Sequence, residues 1–348
     1  METRVNILSL PQKELADLLT DWGENSFRAA QIWQWLWQKR TRDFQQMSNL
    51  PQKLRERLQA TYIICWPKPE KISCSQDGTV KFLLALEDKN CIETVLIPEK
   101  THYTLCISSQ IGCALGCTFC CTGKQGFTRN LAAWEIAAQT LIARDYVDNN
   151  YSRLDVKNLV MMGMGEPLLN WDEVQKSFAL LGSPEGLNFS RRRMTLSSVG
   201  IDGPLQAFAQ ADVALPAISL HAPSQELRRQ IMPGASRALS LDKLIKILKT
   251  YPLRPRERIT IEYILLGGIN DSPDHARQLV RLLSGLRCKV NLIAYNAGAG
   301  DGYKAPAQED VLAFEKILWD KGLTAVLRKS KGADIAAACG QLSAKDKK

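Results

Sequence analysis

Tyr103–Cys121 reads YTLCISSQIGCALGCTFCC. Its first six residues are apolar or β-branched and have the character of a short buried strand. A loop follows that places Cys113, Cys117 and Cys120 in a CxxxCxxC spacing, with Cys121 directly behind. Downstream, runs of the same strand character recur: VKNLVMMG (156–163), RMTLSS (193–198), VALPAISL (213–220), RITIEYILL (258–266) and KVNLIAYN (289–296). Helical stretches separate them. In one, Ala276, Leu279, Val280 and Leu283 share a face; in another, Val311, Phe314 and Leu318 do. Six βα units in succession predict a parallel sheet, either open and doubly wound or a full or partial barrel. A last short strand, TAVLRKS (324–330), precedes the tail.

Both architectures gather functional groups beyond the C-terminal ends of their strands. The unusual polar residues fall there. The cysteine cluster follows the first strand, Gly165 and Glu166 follow the second, and Ser197 closes the third. Ser219 and His221 close the fourth, and Asn296 closes the sixth.

Before this region, residues 11–60 read as helical. Pro11 opens one helix that Gly23 stops, and Ser26 is placed to cap the next. Trp33, Trp35 and Trp37 crowd that second helix, with Lys39, Arg40 and Arg42 after it; a tryptophan core and an RNA-docking surface both fit. TVKFLLALED and CIETVLIP, with turns at Asp77-Gly78 and Asp88-Lys89-Asn90, predict a small antiparallel sheet. The chain therefore divides into helices over 1–68, a β extension over 69–100, the βα region over 101–330 and a tail over 331–348.

The 348 residues are 45% hydrophobic and 23% charged, the balance of a globular protein. Apolar runs are too short for a membrane span of about 20 residues, and the N-terminus lacks the order of a secretion signal. A cytoplasmic protein is expected, and in that compartment ten cysteines are not a disulfide framework. The net charge of +9 suits a polyanionic partner without requiring one. Zinc sites usually close with two separated pairs of ligands. Three clustered thiolates without such a partner pair suit an iron–sulfur cluster with one open iron.

A CxxxCxxC loop after the first strand of a βα-repeat protein resembles the radical S-adenosylmethionine (SAM) superfamily. Longer stretches narrow this: LCISSQIGCALGCTFCCTGKQGFTRNL (105–131), NLVMMGMGEPLLN (158–170), RRRMTLSSVG (191–200), AISLHAP (217–223) and KGADIAAACGQL (331–342). Together they resemble the RlmN/Cfr family of RNA methyltransferases over nearly the whole chain. GFTRNL and ACGQL look more like the branch that methylates C2 of adenosine than the one that methylates C8.

The resemblance implies a partial (β/α)6 radical SAM barrel. It implies one 4Fe-4S cluster on Cys113, Cys117 and Cys120, and two SAM molecules per turnover, bound by Gly165, Glu166, Ser197, Ser219, Leu220, His221 and Asn296. Cys339 matches the methyl carrier, Cys106 the resolving cysteine, and Glu93 the acceptor of the C2 proton, a role open to the Cys106 thiolate as well. Cys121 matches no role. The implied route runs from a methylated Cys339, through a radical on that methyl group and a covalent protein–RNA link, to a transient disulfide. Implied substrates are 23S ribosomal RNA at the peptidyl-transferase centre and transfer RNA beside the anticodon. A flavodoxin or ferredoxin would donate electrons to a monomer. The alternatives are a C8-directed enzyme, a radical SAM enzyme with a non-RNA substrate and a zinc-stabilised RNA-binding protein.

Overall fold

Ten strands join edge to edge in chain order. The computed structural model describes residues 4–151, 155–296 and 302–344. The strands are Lys68–Cys74 (β1), Val80–Ala85 (β2), Cys91–Pro98 (β3), Tyr103–Cys106 (β4), Val156–Met161 (β5), Met194–Ser198 (β6), Leu215–Ser219 (β7), Ile259–Leu265 (β8), Cys288–Ala294 (β9) and Ala325–Arg328 (β10). Each pairs with its neighbours in sequence. From β4 to β10 the pairing is parallel. From β1 to β4 it is antiparallel. β10 and β1 remain the two edges, so the sheet stays open as a partial barrel.

The expected parallel strands and the last short one are all present. The β extension is not a separate sheet. Val95 of β3 pairs with Cys106 of β4, so the extension and the parallel strands form one continuous surface. β1 escaped the sequence reading because its KPEKISC stretch is polar and mostly exposed. Pro69 and an adjacent register shift mark it as an edge strand.

Helices α1 (Gln12–Asp21), α2 (Arg28–Trp37) and α3 (Gln52–Thr61) form the N-terminal part. The remaining helices are α4 (Cys121–Gln125), α5 (Ala133–Asn150), α6 (Trp171–Gly182), α7 (Pro204–Ala211), α8 (Gln225–Ile231), α9 (Pro233–Ala238), α10 (Leu241–Lys249), α11 (Pro273–Leu282) and α12 (Gln308–Asp320). On α12 the expected Val311, Phe314 and Leu318 are the face turned inward. On α11, Ala276 and Leu279 are buried, whereas Val280 is only half-buried. No helix among the described residues is long and apolar enough to cross a membrane.

Ser26 does not cap α2. Phe27 occupies the cap without a side-chain bond, and Ser26 contributes only its carbonyl to Ala29 N. The tryptophans divide. Trp33 and Trp37 lie in the core with ring centroids 6.0 Å apart. Trp35 is partly exposed, with Lys39 Nζ 3.6 Å from its ring centroid and its Nε1 donating to Asn49 Oδ1 at 2.6 Å. Asn6 Nδ2 reaches Glu87 at 3.0 Å, and Arg40 and Arg42 meet Asp145 of α5 at 3.4 and 3.2 Å, joining this part to the sheet.

Trp37 is fully buried, so Trp37→Ala should cost about 3–5 kcal/mol. Urea denaturation followed by circular dichroism checks this; a midpoint equal to wild type would contradict the packing described.

Candidate active site

Three thiols meet at the mouth of the barrel because a narrow ribbon carries them there. Gln110–Gly112 pairs antiparallel with Phe127–Asn130. Gly112 has φ +73°, and a Cβ at this position would lie 1.7 Å from Gly126 O. Only glycine permits that approach. Cys113 N then donates to Gly126 O at 2.9 Å. The elbow between α8 and α9 grips the loop from the other side: Gly234 N donates to Leu115 O, and Thr118 N to Ile231 O, each at 3.0 Å.

Cys113, Cys117 and Cys120 line one open cavity and are unbonded to one another. Burial pushes the Cys113 thiol up to about 12 and holds Cys117 and Cys120 above the usual range; Cys120 adds to the cost of ionising Cys113 and Cys117, and Cys339 adds to that of Cys120. Bound metal supplies the positive charge that lets such a trio become thiolates. Among the described residues, no three His, Cys, Asp or Glu groups converge tightly enough for a single ion. The donor set suits a cluster several ångströms across, held by cysteine sulfur, rather than a lone zinc.

The polar rim follows. Gly165 has φ +100°, and a Cβ there would lie 2.5 Å from Gln110 Cβ. Glu166 is buried; Oε1 accepts from Leu168 N and Oε2 from Val199 N, both at 3.0 Å. Its carboxylate thus ties the loop after β5 to the end of β6, while burial raises its pKa. Ser197 Oγ and Ser219 Oγ lie 3.2 Å apart. His221 Nδ1 accepts from Ile264 N at 3.1 Å, which fixes a neutral imidazole with its proton on Nε2. Burial, with Arg228 nearby, lowers its pKa to about 3.

Gly165, Glu166, Ser197, Ser219 and His221 all line the cavity with the three thiols. Two expected contacts do not. Leu220 is fully buried in the core and does not line the cavity. Asn296 lines a smaller adjoining pocket with Arg328, Lys329 and Cys339.

Cys106 and Cys339 also line the main cavity, with Arg328. Cys106 is buried and Cys339 exposed, and neither is in a disulfide. Burial and then the nearby Cys339 push Cys106 up to about 12, against the pull of Arg328 and the Met162 N–H. Cys339 and, more weakly, Glu262 and Cys106 hold Arg328 firmly protonated.

Glu93 lies outside the cavity lining. Its Oε1 meets Lys81 Nζ at 2.9 Å and its Oε2 accepts from Ser343 N at 2.8 Å. Lys81 Nζ also donates to Ala336 O at 3.1 Å. From the opposite side Cys121 N donates to Gly340 O at 2.7 Å and Thr122 Oγ1 to Leu342 O at 2.6 Å. The segment around Cys339 is therefore held by both the β extension and the cysteine loop.

Sequence reasoning missed Lys81, Thr122, Arg228, Glu262 and Arg328. Arg328 carried a signal, a cation at the C-terminal end of a strand, and Glu262 interrupts an otherwise apolar strand. Arg228 had none: it is a helix residue whose guanidinium turns inward to the carbonyls of Val199, Leu239 and Ala235 at 2.7, 2.9 and 3.3 Å.

Residues 5–64 match the ribosomal RNA large subunit methyltransferase N-terminal domain, and residues 107–282 match the radical SAM superfamily. The chain is 52% identical over 339 residues to a dual-specificity RNA methyltransferase RlmN of Solidesulfovibrio magneticus, covering 97% of this chain and 96% of that one. It is 53% identical over 345 residues to the protein of that name from Oleidesulfovibrio alaskensis, with 98% and 96% covered. The crystal structure of a radical SAM methyltransferase from Sphaerobacter thermophilus superposes with a TM-score of 0.91 at 37% identity, covering 98% of this chain and all of that one.

Two outcomes follow from this geometry. Gly112→Ala should cost more than about 1 kcal/mol and bind little iron after anaerobic reconstitution; full iron content would contradict the need for a bare backbone there. For His221 the unfolded imidazole gains a proton below its usual 6.5, the folded one only near 3. Its contribution is therefore complete above about pH 6.5 and fades toward pH 3, approaching about 1.4 kcal/mol per pH unit. Urea denaturation between pH 7 and 5 should show this slope in wild type and lack it in His221→Gln; equal slopes would contradict the assignment.

Proposed function

The chain belongs to the RlmN family of radical SAM RNA methyltransferases, and on that premise we propose that it methylates C2 of adenosine in 23S ribosomal RNA at the peptidyl-transferase centre and in transfer RNA beside the anticodon. The observation that carries the reading is the shared cavity: Cys106 and Cys339 open onto the space lined by Cys113, Cys117 and Cys120.

The radical SAM family uses a 4Fe-4S cluster and SAM. Cys113, Cys117 and Cys120 would hold the cluster. Gly165, Glu166, Ser197, Ser219, His221 and Asn296 would hold SAM. When bound, the pair would supply the methyl group and the one-electron chemistry that reaches an electron-poor ring carbon where polar methyl transfer fails.

The chain's own residues do the rest. The Cys339 sulfur carries the carbon to the base, with the Arg328 guanidinium lining the same cavity. Glu93 receives the proton leaving C2; each of its oxygens accepts one hydrogen bond here and has a second lone pair. Cys106 gives up its thiol proton and its Sγ attacks Cys339 Sγ; the carbon–sulfur bond breaks with its electron pair on carbon, which takes up a proton to become the methyl group of the base, and a Cys106–Cys339 disulfide remains. Reduction of that bond restores the enzyme. The reading includes a cytoplasmic monomer fed by a flavodoxin or ferredoxin.

Cys106→Ala should accumulate a covalent protein–RNA adduct, seen as a slow band on a denaturing gel; free methylated RNA with no such band would overturn the resolving role. Cys339→Ala should retain iron and SAM binding yet lose methyl transfer by more than about a thousandfold, because no other group carries the carbon. Mass spectrometry of the RNA nucleosides checks this, and C2-methyladenosine formed at the wild-type rate would overturn it.

A further inference from the structure

Glu262 stands in the middle of β8, where the flanking residues are apolar, and is only 3% exposed. Its Oε1 accepts from Asn291 Nδ2 at 3.1 Å. Its Oε2 is buried without a hydrogen-bond partner among the described residues, yet the side chain lines the cavity shared by the five thiols. A buried carboxyl oxygen with no partner costs stability that packing alone does not return. An unpartnered atom on a residue that lines a cavity is explained by a ligand that completes it.

The surroundings define that ligand. Ser219 and Asn291 are the register partners of Glu262 on the two neighbouring strands, so three polar side chains share one level of the barrel. Burial raises the carboxyl's pKa, with Arg328 opposing. A carboxyl oxygen in need of a partner takes an N–H donor. Adenine offers one in its exocyclic amine.

We propose that Glu262 is a nucleobase-binding residue whose unpartnered oxygen accepts a hydrogen bond from the adenine amine of an adenosine entering the barrel. The inference rests on the methyltransferase reading, which brings two adenosines to this cavity: the adenosyl group of SAM and the target nucleotide. Both offer the same amine, and binding measurements separate them.

The experiment uses anaerobically reconstituted holoprotein, as wild type, Glu262→Met and Glu262→Gln. One arm titrates S-adenosylhomocysteine against its analogue lacking the purine 6-amino group. The other titrates a short RNA hairpin carrying adenosine or purine riboside at the target position. Wild type should lose roughly tenfold in affinity on amine removal in one arm, which identifies the adenosine concerned. Glu262→Gln keeps an acceptor oxygen and should retain the discrimination. Glu262→Met should bind both forms equally and, without ligand, melt no lower than wild type, because the unpartnered oxygen is gone. Discrimination in Glu262→Met equal to wild type in both arms would overturn the proposal. So would a large drop in its melting temperature with discrimination unchanged, the mark of a structural carboxyl. Wild-type holoprotein that binds neither S-adenosylhomocysteine nor RNA would overturn the methyltransferase reading itself, and this inference with it.

Discussion

Charge around a partly buried cavity governs this molecule. Five thiols and two buried carboxyls face one space at the mouth of the barrel. Burial holds Cys106 and the three clustered thiols above their ordinary range. Two arginines stand against this. Arg228 reaches the Cys117 and Glu166 side, where burial lowers its pKa to about 10. Arg328 serves the Cys106 and Cys339 side. Thiols so placed stay protonated until compensating positive charge is close by, so reactivity at this site is conditional on what the site holds.

The continuous sheet gives that arrangement its mechanical basis. Because β3 pairs with β4, the antiparallel extension is rigidly placed beside the first parallel strand, and its residues can reach across to the chain's end. Asp77 accepts from Gly332 N at 3.0 Å, and Asp334 accepts from Ser75 Oγ at 2.6 Å. With Lys81 and Glu93 these contacts deliver Cys339 to the cavity, while α4, which begins directly after Cys120, holds Gly340 and Leu342. The loop that would hold iron and the segment that carries Cys339 are thereby hydrogen-bonded to each other. A disturbance of either is felt by both.

Much of this was legible in the sequence, and the reasons differ by element. The parallel strands announce themselves by apolar runs at regular spacing, and the rim residues by their position at strand ends. The polar strand β1 left no such pattern, since an exposed edge strand has no buried face to impose one. Ser26 had the right residue type for a cap, but the chain turns one residue later, with Phe27 at the cap position. Glu93 was singled out by resemblance; its bonds to Lys81 and Ser343 connect positions far apart in sequence, which only folding brings together. The same holds for Arg228, whose inward turn depends on three carbonyls supplied by other elements.

The account stands on a cluster held by three cysteines with a coordination position left for the sulfonium nucleoside. Electron paramagnetic resonance of the anaerobically reduced holoprotein, recorded with and without SAM, tests this most directly. The account predicts the signal of a reduced 4Fe-4S cluster that shifts when SAM is added and is abolished in Cys117→Ala. A signal indifferent to SAM, or a protein that retains one zinc and no iron after reconstitution, would contradict it.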